Sequence, residues 1–332
     1  MRKSIRTLLS ITLCMVLMAS MLTFAAAEEE KTWIGDATPE NHDIRIVGMV
    51  EKPLYFTMAG LKAYSGSYTQ TKDYNWMNSF PSTGIDTFTG IYIEDLMDIV
   101  APKKGAKSVV FTAVDGVYTS SALTRDPLGV FWTDRDGNQA MLAWNGTAGR
   151  TDREIIDFDL PRFVIGQRTP DDVNRSVWVT RIVEVRVTAF NDMGGYDWAA
   201  EAVEALAEAG VTTGIGDGSI YGPDGNLSRA MFVTMLGRAL DGKEPADADR
   251  RFPDVDYSPT SWYGKYVEWS VKEGLVQGGT DGNFHPNLNL LMEHMLLIAG
   301  RAGLKEIPEG IDVNAARFAT RAEAAVIIYA MM

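Results

Sequence analysis

The sequence predicts an α+β protein, in which a β-rich domain over residues 41–188 is followed by an all-α bundle of repeats. Three observations predict it. Short apolar and polar alternations, separated by Asp-Gly and Asn-Gly dipeptides, fill the first part. Past Phe190 the apolar period becomes helical. Within that second part a pattern repeats: Phe190-Asn191-Asp192, Trp198, Gly210, Asp217-Gly218, Tyr221 and Pro223 return as Phe252-Pro253-Asp254, Trp262, Gly274, Asp281-Gly282, Phe284 and Pro286. Thr320-Arg321-Ala322-Glu323 is a fragment of a third copy. Recurrence at one period means a supersecondary unit used several times, each burying its apolar face on its neighbours.

With 332 residues, 46% of them apolar, the chain can bury more than one core. Residues 1–27 are expected to lie outside the fold. Arg2, Lys3 and Arg6 precede an apolar run from Leu8 to Phe24, and Ala25-Ala26-Ala27 follows, which is the pattern of a secretory signal and its cleavage site. The run is shorter than the roughly 20 residues a membrane span needs, and no later segment is apolar enough to cross a bilayer. The single cysteine, Cys14, lies inside the signal, so the exported chain is expected to carry neither thiol nor disulfide. Loss of the signal leaves 28 basic against 44 acidic residues, a formal charge of −16. Such a surface repels nucleic acid and suits the outside of a cell.

Residues 28–40 are short, polar and charged, and read as a linker. Ile44, Ile46 and Gly48, then Val50 and Pro53-Leu54-Tyr55-Phe56, alternate as half-buried strands do. Further strands are expected at Ser108–Ala113, Val117–Ser121, Met141–Trp144, Arg162–Ile165 and Val177–Val187. Asp115-Gly116, Asp136-Gly137 and Asn145-Gly146 tolerate the positive φ of tight hairpins and are read as turns. One helix is expected from Tyr92 or Ile93 through Val100, stopped at Pro102.

Here the residues carry a resemblance. Phe88-Thr89-Gly90-Ile91 leading into Glu94-Asp95-Leu96, then Ala106-Lys107-Ser108-Val109-Val110-Phe111 with Asp115-Gly116-Val117-Tyr118, resembles the sulfite-oxidase-type molybdopterin-binding domain. Leu142-Ala143-Trp144-Asn145-Gly146, Pro161–Gly166 and Ser176-Val177-Trp178-Val179 continue in the same order. The resemblance implies that fold, and for its redox-active members a molybdenum held by a cysteine thiolate. That cysteine is expected some dozen residues before Phe88, where this chain reads Asp73-Tyr74-Asn75-Trp76-Met77-Asn78. The basic residue expected between Ser-Val and Trp of the last strand is also missing at Ser176-Val177-Trp178, although Arg175 lies close by. No cofactor is therefore expected, with molybdopterin as the alternative. Arg162, Arg168 and Arg175 are the candidates for holding an anion, because guanidinium groups grip phosphate in a forked geometry; solvated loop charges are the other reading of them. Trp76, Trp132, Trp144 and Trp178 could stack on a ligand, but more often fill core positions.

Other chemistries are poorly represented. His42, His285 and His294 are scattered, and Glu293-His294 lacks a second histidine four residues away. There is no Gly-x-Ser-x-Gly elbow and no phosphate loop. Asp134-Arg135-Asp136-Gly137-Asn138 lacks the distant glutamate of a calcium loop and reads as a hairpin turn.

In the repeats, Trp198, Ala202, Leu206 and Ala209 are expected to share a buried face, with Gly210 ending their helix. Phe232, Met235, Leu236 and Ala239 match Met295, Ile298, Ala299 and Ala302, and then Ala324, Ile327, Ile328 and Met331, which implies one shared core. Ser228 and Thr320 are good N-cap residues, and Glu323 completes a capping box with Thr320. Arg229 and Arg321 then fall on the first turn, where a cation opposes the helix dipole. Such an arginine is expected to offer a guanidinium beside free N–H groups, a combination suited to a carboxylate or phosphate. Pairing with an acid of another repeat is the alternative.

The order Phe-x-Asp, Trp, Gly, Gly-x-x-Asp-Gly, Pro and Thr/Ser-Arg-Ala-Glu is similar to the S-layer homology domain, from Phe190 onward. The resemblance implies three repeats forming a three-pronged helical bundle whose grooves bind pyruvylated secondary cell-wall polysaccharide. Carried over, Arg229 and Arg321 would meet the ketal carboxylate, while Asp192, Asp254, Gly214, Gly216, Gly278 and Gly279 would contact or shape the sugar groove. The repeats would occupy 189–241, 252–303 and 304–332. Leu291-Met292 replaces the Thr/Ser-Arg pair in the second copy, Met231 replaces the acid in the first, and Met292 to Arg321 spans 29 positions where Arg229 to Met292 spans 63. At most two grooves are expected to be competent. The expectation is an exported protein anchored on the cell wall that displays a domain without redox chemistry. The alternative is a wall-tethered molybdopterin-dependent oxidoreductase.

Overall fold

The computed structural model describes residues 32–118, 133–147, 153–314 and 316–332. The expected signal with Cys14, the end of the strand expected to reach Ser121, and Trp132 lie outside them. Two sheets build the first part. One has the order β1 (Thr32–Ile34), β3 (Leu54–Phe56), β2 (Ile44–Gly48), β10 (Ile182–Thr188), β6 (Ser108–Ala113) and β7 (Gly116–Tyr118). The other has the order β4 (Thr69–Met77), β5 (Thr83–Tyr92), β8 (Met141–Gly146) and β9 (Ile156–Val164). In the first sheet β10 is inserted between β2, which it pairs in parallel, and β6, which it pairs antiparallel. Its Ile182, Val185 and Val187 are buried. Phe111 of β6 stacks on Phe163 of β9 at 4.5 Å between ring centroids, which joins the two sheets. Helix α1 (Met58–Ser65), capped by Thr57, and helix α2 (Ile93–Val100) complete this part.

Several expectations change here. Of the segment expected as a linker, residues 32–40 are more than that, because β1 pairs in parallel with β3 and Asp36 accepts a hydrogen bond from the Thr57 hydroxyl at 2.5 Å. Asn145-Gly146 is no turn; it lies inside β8 beside a register shift against β9. The strand expected over Val177–Val187 is broken, with a short 3-10 turn at Arg175–Val177 before β10 begins at Ile182. Asp134-Arg135-Asp136-Gly137-Asn138 is the turn expected, its Asp134 carboxylate accepting from the Asp136 and Asn138 amides at 2.9 and 2.7 Å.

The second part carries α3 (Asp197–Glu208), α4 (Arg229–Ala239), α5 (Gly264–Lys272), α6 (Met292–Arg301) and α7 (Arg321–Tyr329). The first helix of copy one, α3, packs on α7, and the first helix of copy two, α5, packs on α4. The matched stripe is buried position by position: Phe232, Met235 and Leu236, then Met295, Ile298 and Ala299, then Ala324, Ile327 and Ile328 are all core, and the fourth position is half-buried in every copy. Burying one such side chain contributes about 1.5–3 kcal/mol, so the repeated stripe is a main source of cohesion. Trp198 departs from its expected place. It is 53% exposed, and its counterpart Trp262 is 48% exposed, so Ala199, Ala202, Val203 and Leu206 form the buried face of α3.

At the centre, one residue from each copy closes a backbone ring. Leu227 N–H donates to Ala319 O (2.9 Å), Ala319 N–H to Leu290 O (2.9 Å), and Leu290 N–H to Leu227 O (2.7 Å). The shortened third copy thus closes the three-way junction. The apolar core runs without interruption from this junction through Phe190 to the first sheet. Lys107 Nζ donates to Gly218 O at 2.9 Å, and Arg186 of β10 meets Glu204 of α3 at 3.6 Å, fastening one part to the other.

Candidate functional site

The second helix of each copy starts at the central junction, and its first turn is where Arg229 and Arg321 stand. Ser228 caps α4 by accepting from the Met231 amide at 3.2 Å. Thr320 and Glu323 form the complete capping box at α7, with Glu323 N–H on the threonine hydroxyl at 3.3 Å and Thr320 N–H on the glutamate at 2.9 Å. Leu291 gives α6 no side-chain cap. The free N–H groups expected beside the arginines are not free. Arg229 and Ala230 donate to Leu288 O and Pro286 O, and Arg321 and Ala322 donate to Gly225 O and Pro223 O, at 2.9–3.1 Å. Each helix start is plugged by the neighbouring copy, so any grip on an anion falls to the guanidinium.

The two guanidiniums are held alike. Arg229 Nε donates to Phe284 O (3.0 Å) and its Nη2 to Gln277 O (3.0 Å), with Cζ 4.6 Å from the centre of the Phe284 ring. Arg321 Nε donates to Tyr221 O (2.7 Å), with Cζ 4.7 Å from the Tyr221 ring and Nη1 3.8 Å from Met231 Sδ. Tyr221 and Phe284 are the same position in copies one and two, so each arginine reaches into the next copy and rests on its aromatic residue. Neither pairs with a carboxylate among the described residues. Burial lowers the Arg229 pKa, opposed by the field of Asp254. Arg321 is only 7% exposed, while Arg229 is half-buried. The acid-paired arrangement exists elsewhere, at Arg317, which binds Asp312 at 2.9 Å and Glu323 at 2.5 Å. Met292, in the matching place of copy two, is fully buried and brings no charge.

Asp192 and Asp254 serve the turn that seats each arginine. Asp192 accepts from the Tyr221 and Gly222 amides at 2.8 and 2.7 Å, and Asp254 from the Phe284 and His285 amides at 2.8 and 2.7 Å. Both carboxylates hold backbone amides of that turn and so shape the seat of the arginine. A Cβ on Gly214, which has φ +85°, or on Gly278 would come within 2.8 or 2.3 Å of the Phe190 or Phe252 ring, so these glycines let the turn close over the aromatic residue. A Cβ on Gly279 would lie 2.6 Å from an Asp281 carboxylate oxygen, whereas the Gly216 position is open. The sequence marks Tyr221 and Phe284 as recurring positions, but nothing in the spacing shows that their carbonyls and rings are the seats.

In the β-rich part, Arg175 lies 4.0 Å above the Trp76 ring and 5.6 Å from that of Trp178, and Arg162 lies 4.0 Å above Phe158. Burial lowers the pKa of Arg162, and the nearby charge of Arg175 adds to the effect against Asp159. These two are brought near each other; Arg168 is engaged by Asp172 at 3.3 Å. Trp144 is buried, and the Trp178 indole donates to Ile165 O at 2.9 Å, both core roles.

The residues around the position expected for a molybdenum thiolate do not fit that metal. Asp73 accepts from Thr87 at 2.6 Å, the Tyr74 hydroxyl donates to Gln139 O at 2.6 Å, and Asn75 donates to Asp136 at 2.5 Å. The Trp76 ring occupies the space over Gly84, where a Cβ would come within 2.4 Å of it. Among the described residues no three His, Cys, Asp or Glu groups are placed to hold a metal ion.

Comparison with known proteins agrees with this division. The family model described as S-layer homology domain matches residues 189–231 and 251–291, and that described as oxidoreductase molybdopterin binding domain matches residues 31–148. Relatives include an endoglucanase of Bacillus sp. (strain KSM-635), 33% identical over 113 residues and covering 34% of this chain and 11% of that protein. The surface-layer 125 kDa protein of Lysinibacillus sphaericus is 35% identical over 101 residues, covering 30% of this chain and 8% of that protein. The chain thus spans about a tenth of the length of the curated relatives it matches. Among solved structures, the sulfane dehydrogenase SoxCD from Paracoccus pantotrophus overlaps 48% of this chain and 41% of that one at 13% identity, with a TM-score of 0.33. The class is a cell-surface protein that joins S-layer homology repeats to a molybdopterin-binding-type domain. The chain carries two S-layer homology repeats behind an oxidoreductase molybdopterin-binding domain, and it is extracellular and associated with the cell wall or S-layer.

Proposed function

We propose that residues 189–241, 252–303 and 304–332 form an S-layer homology bundle that holds the protein non-covalently on pyruvylated secondary cell-wall polysaccharide. On this reading residues 41–188 are displayed without molybdenum chemistry. The observation that carries the anchoring role is the pair Arg229 and Arg321, each seated on a neighbour's aromatic carbonyl with no carboxylate in ion-pair contact among the described residues. A guanidinium taken partly from water and not in contact with a carboxylate gains most from an anion that arrives with the ligand. A ketal carboxylate on a sugar is such an anion. Arg229, the more exposed of the two, supplies the first contact, and the buried Arg321 a second, more selective one. The misfit of residues 73–78 supports loss of the metal; Arg162 and Arg175 remain as the places where an anionic group could rest.

The test is sedimentation of the purified protein with native cell walls and with walls stripped of pyruvyl groups. Retention is expected on native walls only. Arg229→Ala is expected to weaken retention at least tenfold and Arg229→Ala/Arg321→Ala to abolish it, with unfolding midpoints measured alongside. Undiminished sedimentation of a folded double variant would move the binding role elsewhere in the chain.

A further inference from the structure

The two arginine seats share a backbone plan but differ in the side chains beside them. In the first copy Gly222, with φ +71°, follows Tyr221, and a Cβ there would stand 2.9 Å from Ile215 Cδ1 and 3.9 Å from Arg321 Nε. Ile215 therefore lies over the glycine next to that guanidinium. In the second copy the residues trade places: His285 follows Phe284, whose carbonyl holds Arg229 Nε at 3.0 Å, and Gly279 stands where Ile215 does. Backbone bonds match the positions, since Ile215 N–H donates to Ile220 O and Gly279 N–H to Asn283 O, one residue before each aromatic. The His285 ring reaches over Gly279, with Nε2 3.1 Å from where a Cβ on that glycine would stand.

The histidine is retained against a backbone preference. Its φ is +60°, a conformation that costs any residue but glycine, and the first copy uses glycine at that place. Strain of this kind persists where the surroundings enforce it and gathers at functional sites. Asp254 accepts from the His285 amide at 2.7 Å, and an Asp281 carboxylate oxygen lies 3.0 Å from Nε2. The Asp281 carboxyl is held below its ordinary value, first by Asn283 and in smaller part by His285. The ring is 44% exposed, and its Nδ1 has no protein partner among the described residues. On α6, His294 holds the place that Met231 holds on α4, where the thioether lies 3.8 Å from Arg321 Nη1; Glu293 lies 3.9 Å from the His294 ring. Both histidines of the repeats thus fall, by position, at the Arg229 seat.

We propose that His285 is a second anion-binding residue of the Arg229 seat, its Nδ1 meeting the wall anion that the guanidinium holds. This rests on the anchoring reading above and names how that site is regulated. With Nε2–H directed at Asp281, the neutral ring turns a lone pair at Nδ1 toward the carboxylate, which is repulsive; protonation puts a hydrogen on Nδ1 and a second cation in the seat. Histidine is the side chain that makes this change between about pH 8 and pH 5. The charged and titratable groups around the ring are Asp281, Asp254, Arg229, and Glu293 with His294 on the first turn of α6. The Arg321 seat carries Ile215 and Met231 in the matching places, so its hold on an anion should not change over the same interval.

The test is the affinity of the whole protein for native walls, corrected by walls stripped of pyruvyl groups, at about pH 8 and about pH 5.5. The native chain is expected to bind at least threefold more tightly at the lower pH. His285→Gly is expected to bind as weakly at the lower pH as at the higher, with its melting temperature held or raised, because glycine suits that φ. His285→Lys, which fixes the charge, is expected to bind at both pH values as the native chain does in acid; a residue that only shaped the turn would not be rescued this way. His294→Gln is expected to keep the rise. A native affinity unmoved by pH, or a rise kept by His285→Gly, overturns the proposal alone if Arg229→Ala still weakens retention. Undiminished retention of Arg229→Ala/Arg321→Ala overturns the anchoring reading and this proposal with it.

Discussion

Gly237 and Gly300 occupy the same position of the repeat, and replacing each by alanine should have opposite effects. Alanine is favoured over glycine within a helix by about 0.5–1 kcal/mol at either site. At Gly237 the added methyl would stand 2.4, 3.2 and 3.2 Å from three atoms of the buried Tyr266 ring, where carbon atoms prefer about 3.5–4.0 Å. The ring, wedged between α4 and α5, would have to retreat by about 1 Å, and overpacking of this kind costs about 1–3 kcal/mol. Net destabilisation of up to about 2.5 kcal/mol is expected for Gly237→Ala. At Gly300 nothing lies within 4 Å, so Gly300→Ala keeps the helical gain and is stabilising by about 0.5–1 kcal/mol. Urea unfolding followed by circular dichroism measures both. Equal signs for the two variants, or loss of stability at Gly300, would show that α6 is covered after all and refute the comparison of the copies.

Glu323 sets an acid limit on the stability of the repeats. Burial works to raise its carboxyl, but the hydrogen bonds from Arg317 and Thr320 outweigh burial and hold it below its ordinary value of 4.5. A group whose folded pKa is depressed gives stability that is complete above the unfolded value and is lost as pH falls through the folded one. The melting temperature should therefore be insensitive to this group above about pH 4.5 and fall below it, and Glu323→Gln should flatten that acid limb; an unchanged limb would exclude the group. For the first domain, protein purified from a host that makes molybdopterin is expected to hold far less than one molybdenum per chain by elemental analysis. One atom per chain would restore the oxidoreductase reading.

What the sequence revealed depended on whether apolar period and burial coincide. They do along α4, α6 and α7, where nine matched positions are core, and in β6 and α2, whose bounds are legible from apolar runs and a following proline. They part company in β4 and β5. There Ile85 is exposed while Asp86 is buried against Thr147, and β4 is a largely polar edge strand, so no alternation announces either one. Trp198 misleads for a related reason: it fits the helical period of α3, yet the neighbouring Ala199 takes the core position and leaves the indole in solvent. Spacing placed both arginines on the first helical turn, behind their caps. It could not find their seats, because Phe284 O and Tyr221 O belong to backbone brought from 55 and 100 residues away.

That long reach decides how the third copy can be short. Each arginine site is made from two copies: Arg229 of the first rests on Phe284 of the second, and Arg321 of the third rests on Tyr221 of the first. A competent seat therefore needs the ring through Leu227, Leu290 and Ala319 to be closed. The third copy keeps what closure requires, the ring residue Ala319, the Thr320 cap and the α7 stripe. What it lacks is a first helix, and with it an aromatic seat for copy two, where Met292 replaces the arginine that would have used one. The two losses match. An arginine at position 292 would meet Val313, not an aromatic residue, at the matching place of the third copy, whereas the fully buried methionine fits the apolar junction. The shortening thus leaves the two arginine seats intact and the Gly300 position of α6 without a neighbour.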